Sequence, residues 1–234
     1  MAGPRRLTGP SLVVAPVGTV FAGGPRVALG RPLIWDNVTT PSPLRTDRMT
    51  LDPWTESDFN MLADLARTRA VMRYIGDGTT WTDARIADVG AHVVEHWRRH
   101  GFGWRVARVD AAPVGLIALN FAGEGAGIDA SEYEIGWWLA PNAWGRGLAR
   151  EGAAAVRDEA FARVGAPSIV ARIQPANAGS LAVAAATGLS YESDSVGRGG
   201  EPIAVLRLNA SRWREEISRS APGSPRATRP GAPA

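Results

Sequence analysis

Glu134-Ile135-Gly136-Trp137-Trp138-Leu139-Ala140-Pro141-Asn142-Ala143-Trp144-Gly145-Arg146-Gly147-Leu148-Ala149 is the stretch whose reading decides the fold. Apolar residues run to Leu139, Pro141 and Asn142 break the run, and Gly145 and Gly147 open an Ala-rich segment. That order reads as strand, short loop, helix. The first amides of a helix have no partner inside it and carry the positive end of its dipole. Glycines there let the backbone approach an anion closely, so the turn is fit to hold a pyrophosphate, with Arg146 adding a charge-assisted contact. Taken alone, the same glycines fit a tight turn with no ligand equally well. The stretch is not a dinucleotide fingerprint, because it lacks a third glycine and follows the fourth expected strand, not the first. It is not a Walker loop either, since the chain has no lysine.

Working outward, strands and helices alternate. Met49 to Pro53 reads as a short strand, and Thr55-Glu56-Ser57-Asp58 as a capping box ahead of a helix with Phe59, Leu62 and Leu65 on one face. A second helix is expected from Thr82 to His100, with Ile86, Val89, Val93 and Trp97 on one side and Gly101 as its stop. Strands Gly103–Val109 and Val114–Phe121 flank a turn at Asp110-Ala111-Ala112-Pro113, and the strand of the opening stretch spans Ser131–Leu139. The helix opened by Gly147 contains Gly152, Ala153, Ala154 and Ala155, small enough to lie close on a sheet, and ends before Gly165-Ala166-Pro167. Ser168–Ile173 is the next strand, Ala178–Thr187 a helix closed by Gly188, and the final strands lie at 189–193 and 203–208. The order β-α-α-β-β-β-α-β-α-β-β predicts a mixed α/β (α+β) fold, not a repeated βα unit.

The chain has 234 residues, enough for one core with tails. Residues 1–40 are rich in Gly and Pro and read as a disordered extension; residues 212–234 read as a disordered tail; 41–211 form the domain. Arg5 and Arg6 precede an apolar segment from Ser11 to Ala22, but Pro16 and Gly18 interrupt it, so a secretory leader is not expected. No run of apolar residues is long enough to span a membrane. There is no cysteine, which excludes disulfides, thiolate metal sites and a Cys nucleophile.

Residues 1–40 carry four arginines and one acid, and 212–234 five arginines against Glu215 and Glu216. The middle holds 17 arginines against 20 acids. The basic excess therefore sits in the tails, which argues against the domain itself binding a phosphate backbone. His92, His96 and His100 fall on one helical stripe but lack a companion carboxylate in a metal-binding pattern, and read as a solvated face.

The opening stretch resembles motif A of the GNAT acetyltransferase superfamily, Q/R-x-x-G-x-G/A, with Trp144, Gly147 and Ala149 in the first, fourth and sixth places. Trp in the first place departs from the general pattern. It is usual in the branch resembling the ribosomal-protein N-terminal acetyltransferases, where the run from Trp144 to Glu151 is typical. Leu44-Arg45-Thr46-Asp47-Arg48-Met49-Thr50-Leu51, Val71-Met72-Arg73-Tyr74-Ile75-Gly76 and Pro175-Ala176-Asn177-Ala178-Gly179-Ser180 resemble the same branch, in the same order, over about 44 to 208.

The resemblance implies an acyl-CoA N-acyltransferase fold, with a mostly antiparallel sheet covered by helices on both faces. It also implies a V-shaped opening between the strand ending at Leu139 and the strand Ser168–Ile173. Acetyl-CoA would lie in the opening, its pantetheine pairing with backbone near Trp138 and Leu139 and its pyrophosphate on the amides of Gly145 to Ala149, Leu148 included. It implies a coenzyme contact for Asn177, which also reads as a helix N-cap. It offers Glu134 as the base that takes the proton of an alkylammonium acceptor, with Glu132 as the alternative. An amide near Leu139 would stabilise the oxyanion. Ser180 would serve the leaving thiolate; many relatives use a tyrosine from this helix, and residues 178–188 contain none.

The expected reaction is direct acetyl transfer to a primary amine, a small molecule or a protein N-terminus, in a ternary complex. The expected setting is a cytoplasmic monomer or homodimer without metal, membrane or nucleic acid. A non-catalytic acyl-CoA-binding module and a nucleic-acid binder acting through its arginine tails are the alternative readings. Trp81, Trp97, Trp104, Trp137 and Trp138 read as core or acceptor-pocket residues, and Arg198-Gly199-Gly200-Glu201 as a turn or acceptor-side loop.

Overall fold

A computed structural model describes residues 41–122, 131–197 and 199–220. Strands β1 (Leu44–Arg45) and β2 (Thr50–Pro53) lead to helices α1 (Phe59–Arg67), α2 (Arg69–Met72) and α3 (Asp83–His100). β3 (Arg105–Val109), β4 (Ala112–Phe121) and β5 (Tyr133–Leu139) follow, then α4 (Leu148–Glu159), β6 (Ser168–Ile173), α5 (Ala178–Ala186), β7 (Ser190–Val196), β8 (Pro202–Asn209) and α6 (Ala210–Ser220). The eight strands form one sheet in the order β1-β2-β3-β4-β5-β6-β8-β7. Every neighbouring pair is antiparallel except β5 and β6.

Alternation along each strand supplies both faces. Val106, Leu116 and Ala118 meet Leu62, Leu65, Ile86 and Val93 of α1 and α3 on one side. Ile117, Leu119, Ile135 and Leu139 meet Leu148, Val156 and Ala184 of α4 and α5 on the other. Gly152 is what lets α4 lie close: a Cβ there would stand 2.9 Å from Ile117 Cγ1. The expected capping box is present at the start of α1, where Asp58 accepts from the Thr55 amide at 3.0 Å. Beneath α4, Arg105 and Glu159 are both buried and joined by two bonds, at 2.7 and 2.5 Å, with Leu51 O taking a third from the guanidinium. Charges this deep are tolerated only when paired and hydrogen-bonded, as here.

Four expectations change. Residues 212–220 are not tail but part of α6, held by Trp213, whose ring lies 5.1 Å from that of Phe161 and whose Nε1 donates to Asp158 at 2.8 Å. The rest of that tail and residues 1–40 lie outside the described residues, as does Arg198. The β3–β4 turn is tighter than read, with only Asp110 and Ala111 between the strands, both at positive φ. The last hairpin is longer, β7 extending to Val196. The histidine stripe is not uniformly solvated: the His96 ring packs 5.0 Å from Phe102 and 4.7 Å from His100. Phe102 follows α3 and Phe121 ends β4, so the sequence period of α3 alone does not reveal them.

Candidate functional site

The parallel contact between β5 and β6 is brief. Tyr133 pairs with Ile169 and Glu134 with Val170, and there the pairing ends. β5 nonetheless stays paired with β4 along its whole length, to Leu139 opposite Gly115. The two central strands therefore splay from Glu134 onward, leaving one edge of Ile135–Leu139 facing a gap. Two bonds show which backbone groups face it. Ala140 donates to Val114 O and Ala122 donates to Glu132 O, so even-numbered residues turn their polar groups toward β4. By alternation, Ile135, Trp137 and Leu139 turn theirs toward the gap. The Leu139 carbonyl on that side accepts from Trp144 Nε1 at 2.7 Å, which folds the following loop back over the strand end. The Leu139 amide on the same edge has no such partner among the described residues.

The gap opens toward the start of α4. Gly145 and Gly147 have φ of 70° and 77°, the left-handed region where a side chain is strained, and Gly147 is the N-cap. The first helical bond runs from Glu151 N to Gly147 O, so the amides of Leu148, Ala149 and Arg150 precede the ladder. A Cβ at Gly145 would meet nothing within 4 Å, so this side of the loop is open. Residues Gly145 to Ala149 thus present a row of donors at the positive end of a helix.

The loop is braced from behind, which the sequence reading missed. Glu151 accepts from Thr46 Oγ1 at 2.6 Å, from the Arg48 amide at 2.9 Å and from Arg48 Nε at 2.6 Å. Arg48 Nη1 in turn donates to Arg146 O at 2.7 Å. Because a trans peptide sets its N–H opposite its C=O, anchoring that carbonyl aims the Gly147 amide the other way. Burial works to raise the Glu151 carboxyl pKa, but the bonds from Thr46 and Arg48 outweigh it and hold the group below its ordinary value. A carboxylate three residues into a helix is the only local sign of this brace; its partners lie about a hundred residues away.

Across the gap, Asn177 caps α5, its side chain accepting from the Ser180 amide at 3.1 Å. Ser180 Oγ accepts from Trp137 Nε1 at 3.2 Å, so a strand residue and a helix residue meet over the opening. On the opposite sheet face, Glu134 stands beside Asn120 in register, with Gly136 and Trp138 following it. Glu132 is instead held by Arg207 at 2.5 Å, which also binds Glu192. The residues singled out from sequence thus fall into three groups around one gap: the amides of Gly145–Ala149, the pair Asn177 and Ser180, and Glu134 with Trp138 and Leu139.

A family model described as an acetyltransferase (GNAT) domain matches residues 48–190. An acetyltransferase from Agrobacterium tumefaciens is 27% identical over 77% of this chain and 99% of its own, with a TM-score of 0.63. Spermidine N-acetyltransferase from Vibrio cholerae, solved with CoA and spermine, is 17% identical over 71% of this chain and 98% of its own, with a TM-score of 0.56. RimL, a ribosomal-protein alpha-N-acetyltransferase solved with coenzyme A, is 14% identical over 73% of this chain and 99% of its own, with a TM-score of 0.61. At those last two identities the likeness is one of fold.

Proposed function

The chain belongs to the GNAT acetyltransferase family, and from that premise we propose that it moves an acetyl group from acetyl-CoA to a primary amine by direct transfer in a ternary complex. The observation that carries the reading is the early end of β5–β6 pairing at Glu134, which leaves a strand edge and a helix start open to the same space. A thioester with a long amide-bearing arm and a pyrophosphate fits that pair of features. The arm would pair with the edge of Trp137 to Leu139, and the pyrophosphate would take the amides of Gly145 to Ala149, with Trp144 and Arg146 at the rim.

Chemistry is assigned to the few groups that reach the gap. An alkylammonium must lose a proton before it attacks, and Glu134 is the carboxylate placed for this, directly or through one water. Glu132, the alternative, pairs with Arg207. The nitrogen bonds to the thioester carbon, and the carbonyl oxygen becomes an oxyanion that the Leu139 amide meets. As the C–S bond breaks, the thiolate is met by the Ser180 hydroxyl. The Trp137 indole already occupies a lone pair of that oxygen, which leaves its proton free to turn toward sulfur. Asn177 would contact the arm while capping α5. The absence of cysteine fits the direct route, since no thiol is present to carry the acetyl group. A cytoplasmic monomer or homodimer belongs to the same proposal; among the described residues no helix is long and apolar enough to cross a membrane.

Glu134→Gln tests the assignment. With a reactive amine, kcat should fall about a hundredfold while acetyl-CoA affinity stays within about twofold. Unchanged turnover would remove Glu134 from the mechanism.

A further inference from the structure

Resting on that reading of the gap, the acceptor side carries enough detail to name a class of amine. Ala118 and Gly136 stand opposite each other on β4 and β5, on the face toward α1–α3. A Cβ at Gly136 would meet nothing nearer than Ala118 Cβ at 3.9 Å, so the sheet here forms a low floor with room above it. At one end of the floor is Glu134, beside Asn120, whose Oδ1 accepts from Trp104 Nε1 at 3.1 Å. At the other end is Trp138, its ring 5.3 Å from that of Trp81 and 5.7 Å from that of Trp104. None of the three indoles is fully buried, unlike Trp54 and Trp97 of the neighbouring core.

The segment from Gly76 to Trp81 crosses the mouth of the β5–β6 gap on this face. Gln174 Nε2, just after β6, donates to Gly76 O at 2.9 Å, and the Trp81 amide donates to Ala66 O at 3.1 Å. The turn between β7 and β8 backs it closely: a Cβ at Gly199 would stand 3.2 Å from the Asp77 amide nitrogen. The space is thus floored by small residues, walled by indoles, closed by a tethered loop, and ended by the Glu134 carboxylate.

Its charges do not suit a polycation. The Arg85 guanidinium lies over the Trp81 ring at 4.8 Å, and Arg73 over Tyr74 at 5.0 Å. Two acids of the same rim bond to their own loops: Asp77 accepts from the Thr79 amide and hydroxyl, and Glu201 from the Gly199 amide. Among the described residues, Arg73 and Arg85 accompany these acids at the rim, and a second or third ammonium would meet their guanidinium charges. Indole rings favour a flat apolar body and one adjoining cation.

We propose that the acceptor is a monoamine carried on a flat apolar or aromatic group, with Trp81, Trp104 and Trp138 holding that group and Glu134 receiving the ammonium. Polyamines and aminoglycosides are disfavoured. The test compares kcat/KM of the full-length protein for phenethylamine, butylamine and spermidine, read by release of free thiol from acetyl-CoA. Phenethylamine should lead each of the others by about tenfold or more. Trp81→Leu should cut that lead to about twofold without changing KM for acetyl-CoA. Gly136→Val, which raises the floor, should reduce phenethylamine turnover more than butylamine turnover and covers the case in which the tryptophan variant fails to fold. Preference for spermidine, or an unchanged lead in both variants, overturns the acceptor class and leaves acetyl transfer standing. No turnover of any amine overturns both.

Discussion

Glu151 and Arg48 meet three times, the carboxylate of one facing the backbone amide, Nε and Nη2 of the other, at 2.9, 2.6 and 2.6 Å. Through its remaining nitrogen Arg48 holds the Arg146 carbonyl, so a hairpin at the start of the domain fixes the orientation of a peptide in the α4 loop. Neither residue needs to touch the coenzyme for this to matter, because a donor row is useful to an anion only when it is already aimed.

Arg48→Met should therefore raise KM for acetyl-CoA about tenfold, the scale of one charge-assisted bond, and leave kcat at saturation within about twofold. Glu151→Gln, which keeps the shape and loses the charge, should lie between. Steady-state kinetics with acetyl-CoA varied separates the outcomes: a fall in kcat at constant KM would show that the brace serves something other than coenzyme binding. Since the folded Glu151 carboxyl sits below its ordinary value, the brace is complete above about pH 4.5 and weakens only as pH falls through the lower folded value.

The two-residue turn between β3 and β4 has a residue poorly matched to its shape. Asp110 and Ala111 have φ of 50° and 65°, the pattern of a hairpin turn that favours Asp-Gly. Alanine there carries a strain of about 1 kcal/mol. Ala111→Gly should raise stability by about that amount in denaturant unfolding, with the slope unchanged. A loss of stability would mean that the turn is not held in this conformation.

His96 gives the fold an acid sensitivity of its own. Burial against Phe102 and Phe121 pushes its pKa down to about 4, and the nearby charges of His100 and His92 push the same way. The unfolded chain takes up that proton near pH 6.5, before the folded one does. Stability is therefore undiminished above about pH 6.5, declines as pH falls, and has lost the whole contribution below about 4. His96→Leu should lose about 1 kcal/mol less than the wild type between pH 7 and 4.5, a figure discounted for the partial exposure of the ring. Parallel pH dependences in urea unfolding would contradict this.

What the sequence disclosed follows from what is local. The strand, loop and helix of 134–149, the cap at Asn177 and the stop of α3 at Gly101 each depend on neighbours within four residues. What it hid is long-range or weakly patterned. The brace on Arg146 joins residues 98 apart, and the bond from Trp137 to Ser180 joins residues 43 apart; neither leaves a periodic trace. Most of α6 reads as tail in the sequence because Trp213 and Ile217 are its only large apolar residues among arginines, serines and glutamates. His96 and His100 both pack on Phe102 and Phe121, with His96 the less exposed of the two, and those rings lie beyond the helix that carries the stripe. The splay itself was expected from family resemblance alone: nothing in Tyr133–Leu139 or Ser168–Ile173 says that pairing stops after two residues.

The most direct test of the central claim, that the amides from Gly145 to Ala149 receive the coenzyme's pyrophosphate, is a thermal-shift titration with acetyl-CoA on the wild type and Gly147→Asp. The wild type should gain about 2.7 kcal/mol at a hundredfold excess over Kd, seen as a clear rise in Tm. The variant, whose new side chain would start 3.4 Å from Arg48 Nη2 and compete with Glu151 for the guanidinium that aims the amides, should melt cooperatively and show no rise. A wild type that gains nothing, or a variant that gains as much, would contradict the account.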